Sequence, residues 1–113
     1  MSPRVAEFIP AAAAPVFAAL GDATRLNLLA RLRDGRSRSI IELTEGLGLT
    51  RQGVSKHLRV LEDAGMVRSE RIGREIRFVL EPDGLAQAHA HLERASRQWD
   101  RALARLRALV EDG

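Results

Sequence analysis

Residues 50–65 decide the fold, and they read TRQGVSKHLRVLEDAG. Apolar side chains recur there at Val54, Leu58 and Leu61, at spacings of four and three, which is the period of an α-helix with one buried face. Thr50 is a residue type that caps helix N-termini, and the Ala-Gly pair at the end suits a helix C-terminus. The stretch therefore predicts an amphipathic helix with a polar, cationic outer face.

A shorter helix is predicted just before this one. Ser39, followed three residues later by Glu42, has the pattern of a capping box. The apolar positions of this helix are Ile40, Ile41, Leu43 and Leu47. We expect the helix to end at Gly48, so that the turn Gly48-Leu49-Thr50 joins two amphipathic helices. Two helices joined by a tight turn that contains a glycine form the outline of a helix-turn-helix, here over about residues 39–64.

Beyond this unit the hydrophobic period changes from 3.6 to 2. Ile76, Phe78 and Leu80 alternate with their neighbours, as in a β-strand. The dipeptide Gly73-Arg74 separates this run from the one before it, and glycine supplies the positive φ of a two-residue hairpin turn. A helix-turn-helix followed by a hairpin, here at about residues 67–80, predicts a winged helix. The expected fold class is mainly α with a small β-hairpin.

Two further helices are predicted ahead of the helix-turn-helix. The first has Pro15 in its opening turn and stops at Gly21. The second has Asp22 as its N-cap and ends near Asp34-Gly35. We place three leucines of the second helix on its inner face, namely Leu26, Leu29 and Leu32.

The last predicted helix, at about residues 84–110, carries two heptad series. One series is Leu85, Leu92, Trp99 and Leu106, and the other is Ala88, Ala95, Ala102 and Leu109. Together they form an apolar seam about 37 Å long at ~1.5 Å per residue. A small wing domain does not cover so long a seam, so we predict a homodimer formed through this helix, with Val16 and Phe17 of the first helix contributing. The alternative is that the seam packs within its own chain.

Composition narrows the class of protein. The chain has 113 residues, 45% of them hydrophobic and 29% charged, which predicts one folded domain over residues 1–113. The absence of cysteine excludes disulfides and thiolate metal sites, and three histidines offer little for a metal cage. The longest uncharged apolar stretch contains two prolines and is too short to span a membrane. We therefore expect a soluble cytoplasmic protein without a metal or other cofactor.

The net charge is concentrated in one segment. The chain holds 18 basic and 15 acidic residues, for a net charge of +3. Residues 50–77 contain seven basic and four acidic residues, so this segment alone accounts for the whole net charge. A cationic segment on an otherwise neutral chain is typical of an anion-binding face, although a solvated arginine surface would give the same count.

The residue types in this segment suit DNA. Gln52 can pair with adenine, and Arg51 or Arg59 with guanine, while hydroxyls and ammonium groups suit phosphates. The predicted contacts on the helix are Thr50, Arg51, Gln52, Ser55, Lys56 and Arg59. Those on the hairpin are Arg71, Arg74 and Arg77, where an arginine can reach a phosphate or a minor groove. Each residue alone is consistent with an ordinary surface, but their combination on one helix and one wing favours DNA.

The sequence resembles the ArsR family of bacterial winged-helix transcriptional repressors. The matching stretches are FAALGDATRL at residues 17–26, LTEGLGLT at residues 43–50, VSKHLRVLEDAGMV at residues 54–67, and Gly73-Arg74 at the hairpin turn. The resemblance covers about residues 15–110. It implies a homodimer that binds a pseudo-palindromic operator and represses transcription, and it places His57 close to DNA or at a helix cap. Many members of the family release DNA when a metal or another inducer binds.

The chain departs from the metal-sensing pattern of that family. The helix that begins near Ile40 lacks the cysteines of the thiolate sensors. His89 and His91 are two residues apart and point to different sides of a helix, and Ala102 stands where another ligand is expected. We therefore predict no metal site. An unidentified small-molecule inducer would act on the paired last helices.

The sequence thus predicts a dimeric, sequence-specific DNA-binding regulator that is not an enzyme. Two other functions stay open. A winged helix can bind another protein, although such a module does not need the basic face over residues 50–77. The chain could also bind DNA non-specifically as an architectural protein, although Gln52 among the arginines favours base reading.

Overall fold

The structure is a computed structural model that describes residues 13–112. In chain order its elements are α1 (Ala14–Leu20), α2 (Ala23–Arg31), β1 (Arg38–Ser39), α3 (Ile40–Thr44), α4 (Arg51–Asp63), β2 (Val67–Ile72), β3 (Glu75–Leu80) and α5 (Pro82–Asp112). The helical majority and the small antiparallel sheet confirm the predicted fold class, a winged helix-turn-helix with a long C-terminal helix. Within these residues, no helix is both long and apolar enough to cross a membrane.

The two N-terminal helices begin at the predicted residues, and Leu29 and Leu32 pack on the core as predicted, but the prediction for Leu26 is wrong. Asp22 caps α2, with its Oδ1 accepting a hydrogen bond from the backbone N–H of Arg25 at 3.0 Å. Leu28 and Leu32 are fully buried, whereas Leu26 is 48% exposed. The face of α2 that packs on the core is centred on Leu28 and Leu32. The helix is therefore rotated so that Leu26 lies outside that face.

The helix-turn-helix has the predicted caps and a shorter first helix. The Ser39 side chain accepts from the N–H of Glu42, and the Glu42 side chain accepts from the N–H of Ser39, which completes the capping box. Helix α3 ends at Thr44 instead of Gly48, because the backbone leaves the helical conformation at Glu45 and becomes extended there, with ψ 125°. Thr50 caps α4 by accepting from the N–H of Gly53 at 3.1 Å.

The sheet has one more strand than the predicted hairpin. Strands β2 and β3 pair through the turn Gly73-Arg74, where Gly73 has φ +65° and Ile72 lies opposite Glu75. Strand β1 adds to the other side of β3, which gives the order β1-β3-β2. Because β1 leads directly into α3, this pairing joins the wing to the helix-turn-helix.

One apolar core holds these elements together. It is formed by Val16, Ala19, Leu28, Leu32, Leu43, Val54, Leu58, Leu61, Met66, Val67, Phe78 and Ala88. The apolar face of α4 thus lies inward, as its spacing predicts, and its polar face lies outward. Ile76 is the exception among the alternating residues of β3, because it is 51% exposed near the turn, beyond the edge of the core.

Helix α5 starts in close contact with the end of α4. A Cβ atom built on Gly84 would overlap the carbonyl oxygen of Gly65, so only glycine fits there without a shift of the backbone. The N–H of Glu81 also donates to the carbonyl of Met66 at 2.9 Å. These contacts fix the first turn of α5 against the C-terminal end of α4.

Candidate nucleic-acid interface

The outer face of α4 carries polar groups that have no partner in the described part of the chain. Arg51, Gln52, Ser55, Lys56 and Arg59 are all exposed, and none makes a side-chain hydrogen bond or ion pair within residues 13–112. The last four of them line a shallow depression on the surface. Thr50 lies at the N-terminus of α4, where its Oγ1 accepts a hydrogen bond from the N–H of Gly53.

The wing tip adds two arginines of the same kind. Arg71 and Arg74 are exposed, and no ion pair or hydrogen bond of either guanidinium occurs between residues 13 and 112. In the hairpin register, Arg71 lies opposite Ile76, and Arg74 occupies the turn itself. The wing tip and the outer face of α4 therefore present unneutralised positive charge.

Arg77, the third arginine predicted on the wing, has a different environment. Its Nε donates to Ser37 Oγ at 3.0 Å, and its terminal nitrogens contact Glu75 at 2.6 Å and Glu42 at 3.1 Å. The side chain is only 23% exposed. Because its hydrogen-bonding capacity is used within the chain, Arg77 ties β3 to β1 and α3 instead of standing free for a phosphate.

His57 faces the interior side of α4. Its Nδ1 is 3.2 Å from Nη1 of Arg25 and 3.9 Å from Oδ1 of Asp22. Arg25 also donates to the carbonyls of Ala18 and Ala19, the last turn of α1. The guanidinium of Arg25 therefore links the end of α1 to α4.

Sequence reasoning gave no role to Arg25. It lies within the stretch that resembles the ArsR family, which was the one signal pointing to it. Its backbone N–H is also the main cause of the lowered pKa of Asp22, with the charges of Arg25 and His57 acting in the same direction. A capping carboxylate that stays ionised strengthens the start of α2.

The residues predicted for a dimer interface divide into three groups. Val16 and Leu85 pack in the core of their own chain, and Ala95 is buried as well. Leu92, Trp99 and Leu106 are exposed by 39%, 47% and 56%. Phe17 and Ala102 are half-buried. Leu103 and Val110, which the heptad count left out, add to the exposed apolar stripe at 56% and 72%.

The histidines of α5 have neighbours that do not form a metal site. His89 lies 3.6 Å from Glu93, and His91 lies 2.7 Å from Arg94. Across residues 13–112, no group of three or more His, Cys, Asp or Glu side chains has a geometry that could hold a metal ion.

The comparisons with known proteins agree with this arrangement. The sequence matches the helix-turn-helix domain family over residues 20–70. It is 36% identical over 93 residues to the HTH-type transcriptional regulator Rv2034 of Mycobacterium tuberculosis, covering 82% of this chain and 83% of that one. An ArsR-like transcriptional regulator from Rhodococcus sp. RHA1 has a similar structure, with a TM-score of 0.67 and 39% identity, covering 88% of this chain and 92% of that one. The chain belongs to the ArsR family of winged helix-turn-helix regulators.

Membership in the ArsR family identifies the chain as a DNA-binding transcription regulator, and the two relatives named above are transcriptional regulators. The NMR structure of the cadmium metal-sensor CmtR from Mycobacterium tuberculosis is similar as well, with a TM-score of 0.54 and 39% identity, covering 70% of this chain and 80% of that one. This ArsR-family chain has no cysteine. A thiolate cadmium site is therefore excluded here.

Proposed function

We propose that the chain forms a homodimer that binds an inverted-repeat operator through the major groove and represses transcription. The observation that carries this proposal is the outer face of α4, where Arg51, Gln52, Ser55, Lys56 and Arg59 are exposed without partners between residues 13 and 112. A bidentate amide and two guanidinium groups on one helix are the groups that read base edges in the major groove. Arg71 and Arg74 on the wing reach the adjacent backbone or minor groove.

The dimer is supported by α5. Its 31 residues extend about 46 Å, and every side chain from Leu103 to Glu111 is exposed. The apolar stripe of α5, which includes Trp99 and Leu106, is the surface that a second copy would cover. Two recognition helices held by such a pair would enter successive major grooves about 34–36 Å apart.

The first experiment selects binding sites from a random DNA pool with the purified protein, without added metal and at near-physiological salt. We expect an enriched inverted repeat whose half-sites lie about one helical turn apart. Uniform weak retention of all sequences would contradict sequence-specific binding and favour an architectural or protein-binding role. The selected site is then placed over a promoter in a bacterial reporter strain. Lower expression in the presence of the protein supports repression, and unchanged or higher expression rejects it.

The dimer is tested by sedimentation of Trp99→Asp. The introduced carboxylate would have to be buried in the seam, so we expect monomers at concentrations where the native chain is dimeric. Ala104→Asp is the matched control, because Ala104 is exposed and lies on the opposite side of α5 by helical spacing. Intact dimers of Trp99→Asp, or monomers of both variants, would show that this seam is not the interface.

A further inference from the structure

A shallow, open cleft lies between α3, the start of α4 and the wing. Its volume is about 720 Å³, within the range of about 300–1,000 Å³ that is usual for small-molecule sites. Ile40, Ile41 and Ile76 provide its apolar lining, and Arg51, Gln52 and Arg74 line it as well. The cleft therefore combines apolar and cationic side chains.

The isoleucines are more exposed than their neighbours in the core. Ile41 is 60% exposed and Ile76 is 51% exposed, although both face the same cleft. Burying such side chains stabilises a complex in proportion to the apolar surface that is removed from water. An apolar body seated between α3 and β3 would therefore gain affinity from surface that the described part of the chain leaves exposed to water.

The charge of the cleft selects the sign of the ligand. Arg51 and Arg74 have no ion pair within residues 13–112. Among the described residues, Glu75 is the single acidic side chain that lines the cleft, and its carboxylate contacts Arg77 at 2.6 Å. Two unneutralised guanidinium groups beside an apolar surface are complementary to a compact anion attached to a hydrocarbon body.

We infer that this cleft binds a small amphipathic anion, a carboxylate on an apolar body, and that such a ligand releases DNA by direct competition. The inference rests on the proposed function, because Arg51, Gln52 and Arg74 are also proposed DNA contacts. If a carboxylate is bound to both arginines, DNA phosphates or bases cannot contact these arginines at the same time. Release would then require no change in the dimer and no metal.

Decanoate is the probe, and decyltrimethylammonium is the control with the same chain length and the opposite charge. Calorimetric titration of the full chain without DNA is expected to show saturable binding of decanoate only. The double variant Ile41→Ser/Ile76→Ser is expected to lower the decanoate affinity about tenfold or more, because several buried CH₂ and CH₃ groups are lost. Leu26→Ser, which removes an exposed leucine outside the cleft, is expected to leave decanoate binding unchanged.

The results separate this inference from the proposed function. If decanoate binds but the protein retains no DNA sequence selectively, the cleft stands and the regulator proposal fails. Absence of decanoate binding, equal binding of both amphiphiles, or unchanged binding in the double isoleucine variant overturns the ligand site. With the selected operator, decanoate should raise the apparent Kd of the native chain and not that of the double variant. An unaffected Kd for the native chain overturns direct competition.

Discussion

Two sets of cations in this chain have the same chemistry and different environments. Arg51, Arg59 and Arg74 are exposed and unpaired within residues 13–112. Arg77 contacts Glu75 and Glu42. Arg68 contacts Glu81 at 3.3 Å and Glu70 at 3.1 Å, and these two carboxylates raise the pKa of Arg68 above its ordinary value. The comparison teaches that net charge along the sequence does not by itself locate a DNA-binding face. Each cation has to be sorted by whether the chain already neutralises it.

The largest effect is expected from Gln52→Ala. Loss of a bidentate contact to a base weakens binding by about 1–3 kcal/mol per half-site, and a dimer has two half-sites. Site selection with the variant should show relaxed preference at one base position of each half-site and unchanged preference elsewhere. An identical preference profile would remove Gln52 from the base-reading set and leave α4 with phosphate contacts only.

Lys56→Ala is expected to change the salt dependence of operator affinity. Each phosphate contact contributes a slope of about 0.9 in log affinity against log salt, so loss of one contact per protomer flattens the slope by about two units for the dimer. Fluorescence anisotropy of the selected operator across a salt series measures the slope. A slope equal to that of the native protein would show that Lys56 does not contact a phosphate.

Arg77→Ala tests the other side of the comparison. We expect the free energy of unfolding to fall by about 1–2 kcal/mol, because the variant leaves Ser37 and two carboxylates without a cationic donor. Operator affinity and the salt slope should remain close to those of the native chain. If Arg77→Ala instead flattens the slope as Lys56→Ala does, the division into paired and unpaired cations fails.

The smallest effect is expected in the pH dependence of stability, through the carboxylate of Glu42. The backbone N–H of Ser39 is the main cause of its lowered pKa, and the Ser39 side chain and Arg77 act in the same direction. A lowered pKa in the folded state contributes stability that is present above the unfolded pKa, about 4.3, and is lost as the pH falls through the folded value. The advantage of the native chain over Glu42→Gln in melting temperature should therefore shrink between pH 7 and pH 3.

The control for this prediction is Glu45→Gln. Its carboxylate is exposed and has no ion pair in the part of the chain that the structure describes. We expect its melting temperature to follow that of the native chain across the same pH range. A pH-independent advantage of the native chain over Glu42→Gln would mean that the capping box does not depend on the ionised carboxylate.

Local chemistry explains what the sequence could predict. Caps at Ser39 and Thr50, the hairpin at Gly73-Arg74 and the inward face of α4 depend on residues at most a few positions apart. Such patterns are readable because propensity, spacing and turn chemistry agree there. The same local agreement made the winged-helix fold class predictable.

Long-range packing explains what the sequence could not predict. Ser37 lies 40 residues from Arg77, and Arg25 lies 32 residues from His57, so neither contact leaves a local pattern. The rotation of α2, which buries Leu28 and exposes Leu26, is likewise set by its neighbours and not by its own spacing. The pairing of β1 with β3 depends on the same tertiary arrangement.

The central claim is that the unpaired arginines of α4 and the wing form the DNA-binding face and that the paired arginines of the wing hold the fold. One measurement tests it directly: NMR of the arginine Nε–Hε groups during titration with the selected operator. The account predicts that the signals of Arg51, Arg59 and Arg74 shift on binding while those of Arg68 and Arg77 remain in place. Shifts of the paired arginines, with the unpaired ones unmoved, would contradict it.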